Sequence, residues 1–500
     1  DFMGYRDYEE IMKLFRDACG VTEKLYNGGL FKLNPYDQIE YDPIIIKKII
    51  DILGEINFKE IDSDIIGRIY EIYLGQVLKV EAEIRGKKRT KYQADNQERK
   101  KLGQYYTPKF VVDFIVKNTL GKLIEGKKPE EIAKIRILDP ACGSGSFLIN
   151  AYDKLVDYYE NWNSAILKKI EEENKKKGAS LGRYQDNGAI PNYKNIILKE
   201  NIHGVDLNDL SVQIAEINLW IRALERDKKL IKLNKNILHG NSLITGVEDE
   251  EELAKYKKEL DEIKKRTHEI KDFYDKDELS GDEMRKLEKL EEELKELKNK
   301  VNPELNENLK TYFDDHLDTV HPFNWEVEFA EVMQEGGFDV VIGNPPYFNL
   351  QTIQEDEGFG VKDYLGGQYP IIHTGQNDIL YYFYFKSVQL LKEGGLFGFI
   401  TSRYFFESEF AAKLRTALLD NVELQTIIDF GSKFRVFEDA SINACIVLFK
   451  KVKKPSPNNK IKMVKVKSTT LNINHLFRLI IEKIHSNRFS DDSIDIFEVN

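Results

Sequence analysis

Five hundred residues, 41% hydrophobic and 32% charged, exceed one ordinary domain and carry enough apolar material for a sizeable core. No run of eighteen apolar residues occurs, which excludes a membrane-spanning helix; Cys19, Cys142 and Cys445 are too far apart for a metal or disulfide framework, so a reducing, cytoplasmic setting is expected. The net charge of −11 argues against nucleic acid only as an average, because acid concentrates between Glu248 and Lys300 while basic clusters lie at Arg85–Lys91, Arg99–Lys101 and Lys450–Lys467.

Residues 1–98 are expected to form a helical connector domain, since Ile45, Ile46, Ile49, Ile50 and Leu53 recur at helical spacing, as do Ile65, Ile66, Ile69, Ile72 and Tyr73. Asp1-Phe2-Met3 is neither a signal peptide nor an initiator methionine, so a longer parent protein is expected. In Gly103-Gln104-Tyr105-Tyr106-Thr107-Pro108, Thr107 reads as an N-cap and Pro108 as the first residue of a helix running Phe110 to Leu120.

Ile135 to Leu138 is a short strand feeding Asp139-Pro140-Ala141-Cys142-Gly143-Ser144-Gly145-Ser146 and then a helix from Phe147. Strand, glycine-rich turn and helix open a nucleotide-binding α/β half. The glycine spacing fits neither a dinucleotide fingerprint nor a P-loop. Asp139 disfavours a phosphate and favours a cation, such as a sulfonium-bearing amino acid with a free ammonium. Asp206 ends the next strand, Ile202 to Asp206, where an acid commonly grips ribose hydroxyls. After a helix, Leu210 to Leu224, comes a third strand and loop, Ile237 to Ser242. There Asn241 suits an adenine edge and His239 reads as structural.

Residues 246–315 interrupt the pattern with two apolar stripes, Leu253, Tyr256, Leu260, Ile263 and Leu287, Leu290, Leu294, Leu297, Val301. They predict an antiparallel helical hairpin with charged outer faces, read as a solvated spacer with a partner-binding arm as the alternative. Phe338 to Ile342 is a buried strand that stops at Gly343, before Asn344-Pro345-Pro346-Tyr347. The two prolines stiffen a corner at the carboxyl end of that strand. The corner offers the Asn344 amide, the Pro345 carbonyl and the Tyr347 ring. An exocyclic amino group on a nucleobase is a poor nucleophile because its lone pair is delocalised. Two acceptors binding its two hydrogens favour a more tetrahedral nitrogen, and Tyr347 suits stacking on the ring.

Residues 348–376 are glycine-rich and read as a mobile lid. The helix Ile379 to Leu391 carries Tyr381 to Phe385, expected in the core, and Asp378 before it is a candidate polar ligand contact. Strands Leu396 to Ile400, Gln425 to Phe430 and Ala444 to Phe449 follow, with a helix Phe410 to Leu419. The last two strands are joined directly, which predicts an antiparallel last strand. Phe437, in the loop between them, is either a second stacking ring or a buried anchor. The fold class is therefore α/β, a seven-stranded doubly wound sheet over 99–452 with an inserted hairpin. Residues 453–500 read as a basic linker with one amphipathic helix, Leu476 to Ile484, at the start of a further region.

These motifs, in this order, resemble the amino-group DNA methyltransferases that use S-adenosylmethionine, most of all the methyltransferase portion of Type IIG restriction-modification enzymes, with Type I modification subunits next. The resemblance covers about residues 100–450 and implies a Rossmann-like methyltransferase sheet. It places the cofactor against Thr107, Asp139, Ala141, Gly143, Asp206, Asn241, Ser242 and Pro346. Asn344 and Pro345 would orient the target amino group, with Pro346 beside them, and Tyr347 and Phe437 would stack on the base. Asn241 departs from the aspartate usual in the family. Double-stranded DNA is the implied partner, together with a target-recognition domain or subunit and a nuclease domain; no nuclease or metal motif is visible in these residues. N6-adenine methylation is the expected activity. The alternatives are N4-cytosine methylation, a protein glutamine N5-methyltransferase, which uses the same motif but is much shorter, and an inactive DNA-recognition subunit.

Overall fold

A computed structural model describes residues 107–499 except 178–187, 226–230, 275, 277–278, 353–359, 432–433, 438–442 and 467–493, with residues 44 and 48 in addition. The expected N-terminal helical domain, Gly103 to Tyr106 and the helix at 476–484 lie outside the described residues.

The apolar runs become β1 (Ile137–Asp139), β2 (Ile202–Asp206), β3 (Ile237–His239), β4 (Phe338–Gly343), β5 (Leu391–Ser402), β6 (Val422–Asp429), β7 (Ala444–Lys451), β8 (Ile461–Val466) and β9 (Ile494–Val499). Among the described residues they form one nine-stranded sheet in the order β3-β2-β1-β4-β5-β7-β6-β8-β9. The direction of winding reverses between β1 and β4, which pair in parallel. That crevice is where an open α/β sheet holds its ligand. β7 lies antiparallel between β5 and β6, as the direct join predicts.

Two strands extend the sheet beyond the seven expected. β8 pairs in parallel with β6, so residues assigned to a basic linker are part of the sheet. Val464 and Val466 are buried while Lys465 is exposed, the period of two of a strand with one buried face. The surrounding lysines masked that alternation.

Eight longer helices flank or extend the sheet: α1 (Lys109–Val116), α2 (Ser146–Lys177), α3 (Asp209–Ala223), α4 (Lys257–Tyr274), α5 (Gly281–Leu305), α6 (Val361–Gln368), α7 (Ile379–Leu390) and α8 (Ala412–Asn421). Thr107 does not cap α1. Pro108 takes the cap position, and its carbonyl accepts from Val111 N at 2.9 Å. The threonine hydroxyl is thereby left for a tertiary contact.

The predicted hairpin forms. Leu260, Ile263, Ile270 and Phe273 of α4 meet Leu287, Leu290, Leu294 and Val301 of α5, in a cluster shared with Val327 and Ala330 of the segment before β4. Ser280 opens α5 with a capping box, its Oγ accepting from Glu283 N at 3.3 Å and its own N donating to Glu283 Oε2 at 2.9 Å. The hairpin is fastened to the rest of the fold by buried polar groups, unlike a solvated spacer. Lys271 reaches Glu331 at 2.5 Å and Glu200 at 3.5 Å, and Arg136 holds Glu200 at 3.1 Å. Burial pushes the Glu200 carboxyl up, but Lys271, Arg136 and Lys199 outweigh it and hold it below its usual range.

Only 6% of the Lys271 side chain is exposed, so its removal takes the lysine from Glu331 while Glu200 keeps Arg136 and Lys199. Lys271→Ala is expected to cost about 3 kcal/mol, read as a drop of several degrees in thermal unfolding midpoint. An unchanged midpoint would show that the hairpin is not held by this ion pair.

Candidate active site

The carboxyl ends of β1, β2, β3 and β4 and the start of α1 surround a cavity of about 340 Å³. Thr107, Asp139, Ala141, Gly143, Asp206, Asn241, Ser242, Asn344 and Pro346 all line it. These residues come from five stretches of sequence, and the sheet order together with the docking of α1 brings them together. Pro345, Tyr347 and Phe437 are not among the lining residues.

Each turn has a local reason. Gly143 sits at φ +52°, and its N donates to Asp206 Oδ2 at 2.8 Å. This ties the glycine-rich turn to the end of β2. Asn208 N donates to Asp206 Oδ1 at 2.9 Å. Ser242 Oγ donates to the Pro140 carbonyl at 2.6 Å, tying the β3 loop to the β1 turn. Asn241 holds its own loop, its Oδ1 accepting from Leu243 N at 3.1 Å. Gly343 is required by proximity: a Cβ there would fall 2.6 Å from Asp139 Oδ1. The strand therefore ends in glycine because an acid from β1 leans against it.

The cavity is built for positive charge. Asp139 is 1% exposed, and its Oδ1 accepts from Ala141 N at 3.1 Å. Burial pushes its carboxyl well above the usual range; the Ala141 amide opposes this and the nearby Asp206 adds to it. Burial also raises Asp206, against the amides of Asn208 and Gly143. Two acids raised by burial, one of them further raised by the other, are relieved by a bound cation. Cys142 shares the lining, but burial first, then Asp206 and Asp139, push its thiol well above the usual range. It is a poor thiolate nucleophile.

Asn344 is anchored across the fold. Its Nδ2 donates to Thr107 Oγ1 at 3.1 Å. The oxygen is then the arm of the amide turned away from Thr107.

Other expected contacts are corrected. Asp378 does not line the cavity; its carboxylate caps α7, accepting from Leu380 N at 3.0 Å. Burial raises that carboxyl to about 6, against the amides of Leu380 and Phe348. The segment read as a lid contains α6, whose Tyr364 hydroxyl donates to the Thr245 carbonyl at 2.8 Å, while Tyr369 donates to the Leu243 carbonyl at 3.1 Å. This part of it is a buried brace for the β3 loop. Phe437 is 3% exposed, together with buried Val436 and Phe434, and so is a loop anchor here and not an open stacking surface. His239 is structural as read, with Nε2 2.9 Å from the Leu207 carbonyl and its ring 4.4 Å from that of His321.

The residue reading missed Asn208, Ser211, Phe348, Ile379 and Phe383, which also line the cavity. Ile379 and Phe383 are four apart and share one helix face. Their apolar lining suits the flat or aliphatic parts of a ligand.

Residues 200–437 match the family model of the Eco57I restriction-modification methylase, and residues 119–244 match that of the DNA-methyltransferase domain of MmeI. Between them the two matches span residues 119–437. The type II restriction enzyme and methyltransferase RM.Eco57I of Escherichia coli is 25% identical over 464 residues, covering 89% of this chain and 37% of that protein. The adenine-specific methyltransferase PglX of Streptomyces coelicolor is 24% identical over 351 residues, covering 67% of this chain and 22% of that protein. A solved DrdV–DNA complex is 16% identical, with a TM-score of 0.48, covering 97% of this chain and 39% of that one. The chain spans well under half the length of these curated relatives. Within residues 119–437 the glycine-rich turn and the Asn-Pro-Pro-Tyr corner lie at the ends of adjacent, parallel strands β1 and β4.

Among the described residues, no helix is long and apolar enough to cross a membrane.

Proposed function

We propose that this chain transfers a methyl group from S-adenosylmethionine to the N6 amino group of an adenine flipped out of double-stranded DNA, as the modifying part of a restriction-modification enzyme. The observation that carries this reading is one cavity bounded by two carboxylates, buried Asp139 and half-buried Asp206, and by the Asn344 amide. A donor pocket for a cation and an acceptor corner for an amino group face the same space. The names of the relatives, including the adenine-specific PglX, support the same reaction and base.

The residues present fit S-adenosylmethionine by charge and by shape. Asp139 would take the ammonium-bearing end, Asp206 the ribose hydroxyls and Asn241 the adenine edge, with Gly143 allowing close backbone approach and Thr107, Ala141, Ser242 and Pro346 completing the walls. Phe348, Ile379 and Phe383 supply apolar surface. When bound, this donor supplies an electrophilic methyl on a sulfonium.

The protein's part is orientation. The Asn344 oxygen and the Pro345 carbonyl accept the two amino hydrogens and localise the nitrogen lone pair. The proline pair stiffens the backbone that carries both acceptors, so little backbone reorganisation accompanies reaction. A base inside a duplex cannot reach a strand-end cavity. Flipping it out costs a few kcal/mol, and stacking on an aromatic ring returns on the order of 1–3 kcal/mol. Tyr347 follows the acceptors directly in sequence, but at 8% exposure and outside the cavity lining it would have to turn toward the base to stack on it. Phe437 would have to leave its buried position to serve as the second ring. Duplex DNA is the proposed partner, a target-recognition element and a nuclease element are expected to work with it, and the cytoplasm is the expected location.

The test is methyl transfer from labelled donor to mixed-sequence DNA, followed by nucleoside analysis. Label in N6-methyladenine is the expected result. Label only in N4-methylcytosine would reassign the base, and label only in protein would overturn the reading.

A further inference from the structure

Asn344 and Thr107 are 237 residues apart in sequence and 3.1 Å apart in the fold. The bond ties one arm of the Asn344 amide to a hydroxyl in the cavity wall, so the side chain is held and does not swing about its own torsions. This matters for an acceptor, because one already in place needs little reorganisation when an amino group arrives. A backbone carbonyl such as that of Pro345 is held by the chain itself; a side-chain acceptor needs a partner.

We propose that Thr107 is a positioning residue that holds the Asn344 side chain in place and so sets the rate of methyl transfer. The inference rests on the methyltransferase reading above. Several features suit Thr107 to this task. It is 5% exposed, so water does not readily replace its hydroxyl. It precedes Pro108, which restricts its backbone to extended geometry. It is β-branched, which limits its rotamers. Its hydroxyl is not spent on capping α1, because Pro108 holds the cap position with no side-chain hydrogen bond. The start of α1 packs at the cavity with Thr107 in its wall, so the hydroxyl is carried to the carboxyl end of β4.

A wall residue that merely touches the methyl donor would behave differently from one that orients the acceptor, and the kinetics separate the two. Thr107→Val keeps the shape and removes the acceptor oxygen. It is expected to lower kcat for DNA methylation by on the order of tenfold or more, with the dissociation constant for S-adenosylmethionine, measured by calorimetry, within about threefold of the parent. Thr107→Ser, which keeps the oxygen, is expected to restore most of the lost rate. The calorimetric titration also reports whether each variant is folded. An unchanged kcat in Thr107→Val, a loss confined to donor affinity, or a Thr107→Ser variant as slow as Thr107→Val would each overturn the proposal. If the parent protein itself transfers no label to DNA, the methyltransferase reading falls; if the parent is active and Thr107→Val matches it, only the positioning role falls.

Discussion

Asn344→Ala is expected to lower the rate of methyl transfer to DNA by about 10²–10³-fold while S-adenosylmethionine still binds within a few-fold of the parent affinity. The magnitude is that of removing one preorganised polar contact to a group whose charge develops in the transition state. The selectivity follows from where the side chain sits. Asn344 is one of several lining residues, but the carboxylates that would hold a cation are Asp139 and Asp206, on other strands. Its amide nitrogen is committed to Thr107, so truncation removes the acceptor and one hydrogen bond and leaves the carboxylate pair intact. Steady-state rates with labelled donor, beside calorimetric titration of the donor alone, separate the two effects. Full activity in this variant would show that Asn344 is not the acceptor. A large loss of donor affinity would show that it holds the donor.

Asp139→Asn tests the other half of the cavity and is expected to move stability and binding in opposite directions. The folded carboxyl is raised above its unfolded value, chiefly by burial. A raised acid favours the fold most at pH below the usual aspartate range, near 4, and that contribution is lost as pH climbs through the raised value. At pH 8 Asp139 therefore supports the ligand-free fold less than it does in acid. Asparagine keeps the oxygen that accepts from Ala141 N and removes the charge. The ligand-free variant is expected to melt at the same temperature as the parent at pH 8, or higher. Its affinity for S-adenosylmethionine is expected to fall by roughly tenfold or more, since one unit of opposite charge is lost at short range in a dry site.

The same logic gives a pH signature for the parent. A cation stabilises ionised Asp139 and Asp206, both of which are raised, so binding below their folded values requires release of protons. The rise in melting temperature caused by the donor should therefore be larger at pH 8 than at pH 5.5, and the difference should shrink in Asp139→Asn. A variant that is less stable and still binds the donor as tightly as the parent would show that Asp139 serves the fold alone.

Much of this was legible in the chain. Five apolar residues ending in glycine before Asn344-Pro345-Pro346-Tyr347 specify a strand and a stiff corner, because both signals are local. The turn after β1 and the hairpin helices were legible for the same reason: glycine spacing and a repeat of three and four residues need no tertiary partner. β8 was hidden because its lysines gave a charge run where the burial pattern is that of a strand. Phe383 was hidden because Tyr381, Tyr382 and Tyr384 beside it are also buried, so periodicity could not tell which ring faces the cavity. Phe437 could be a stacking ring or an anchor until the loop before β7 was seen to tuck it under with Val436.

By itself the sequence determined the chemical inventory: acids at two strand ends, an amide and a carbonyl at a proline-stiffened third, and a threonine before the first helix. Each follows from residue type and spacing over a few positions. Only the tertiary structure decided which of these meet. The reversal of strand order between β1 and β4 sets Asp139 against Gly343, and the docking of α1 brings Thr107 to Asn344 across 237 residues. Contacts of that separation depend on the packing of the whole sheet, and no local pattern of side chains encodes them.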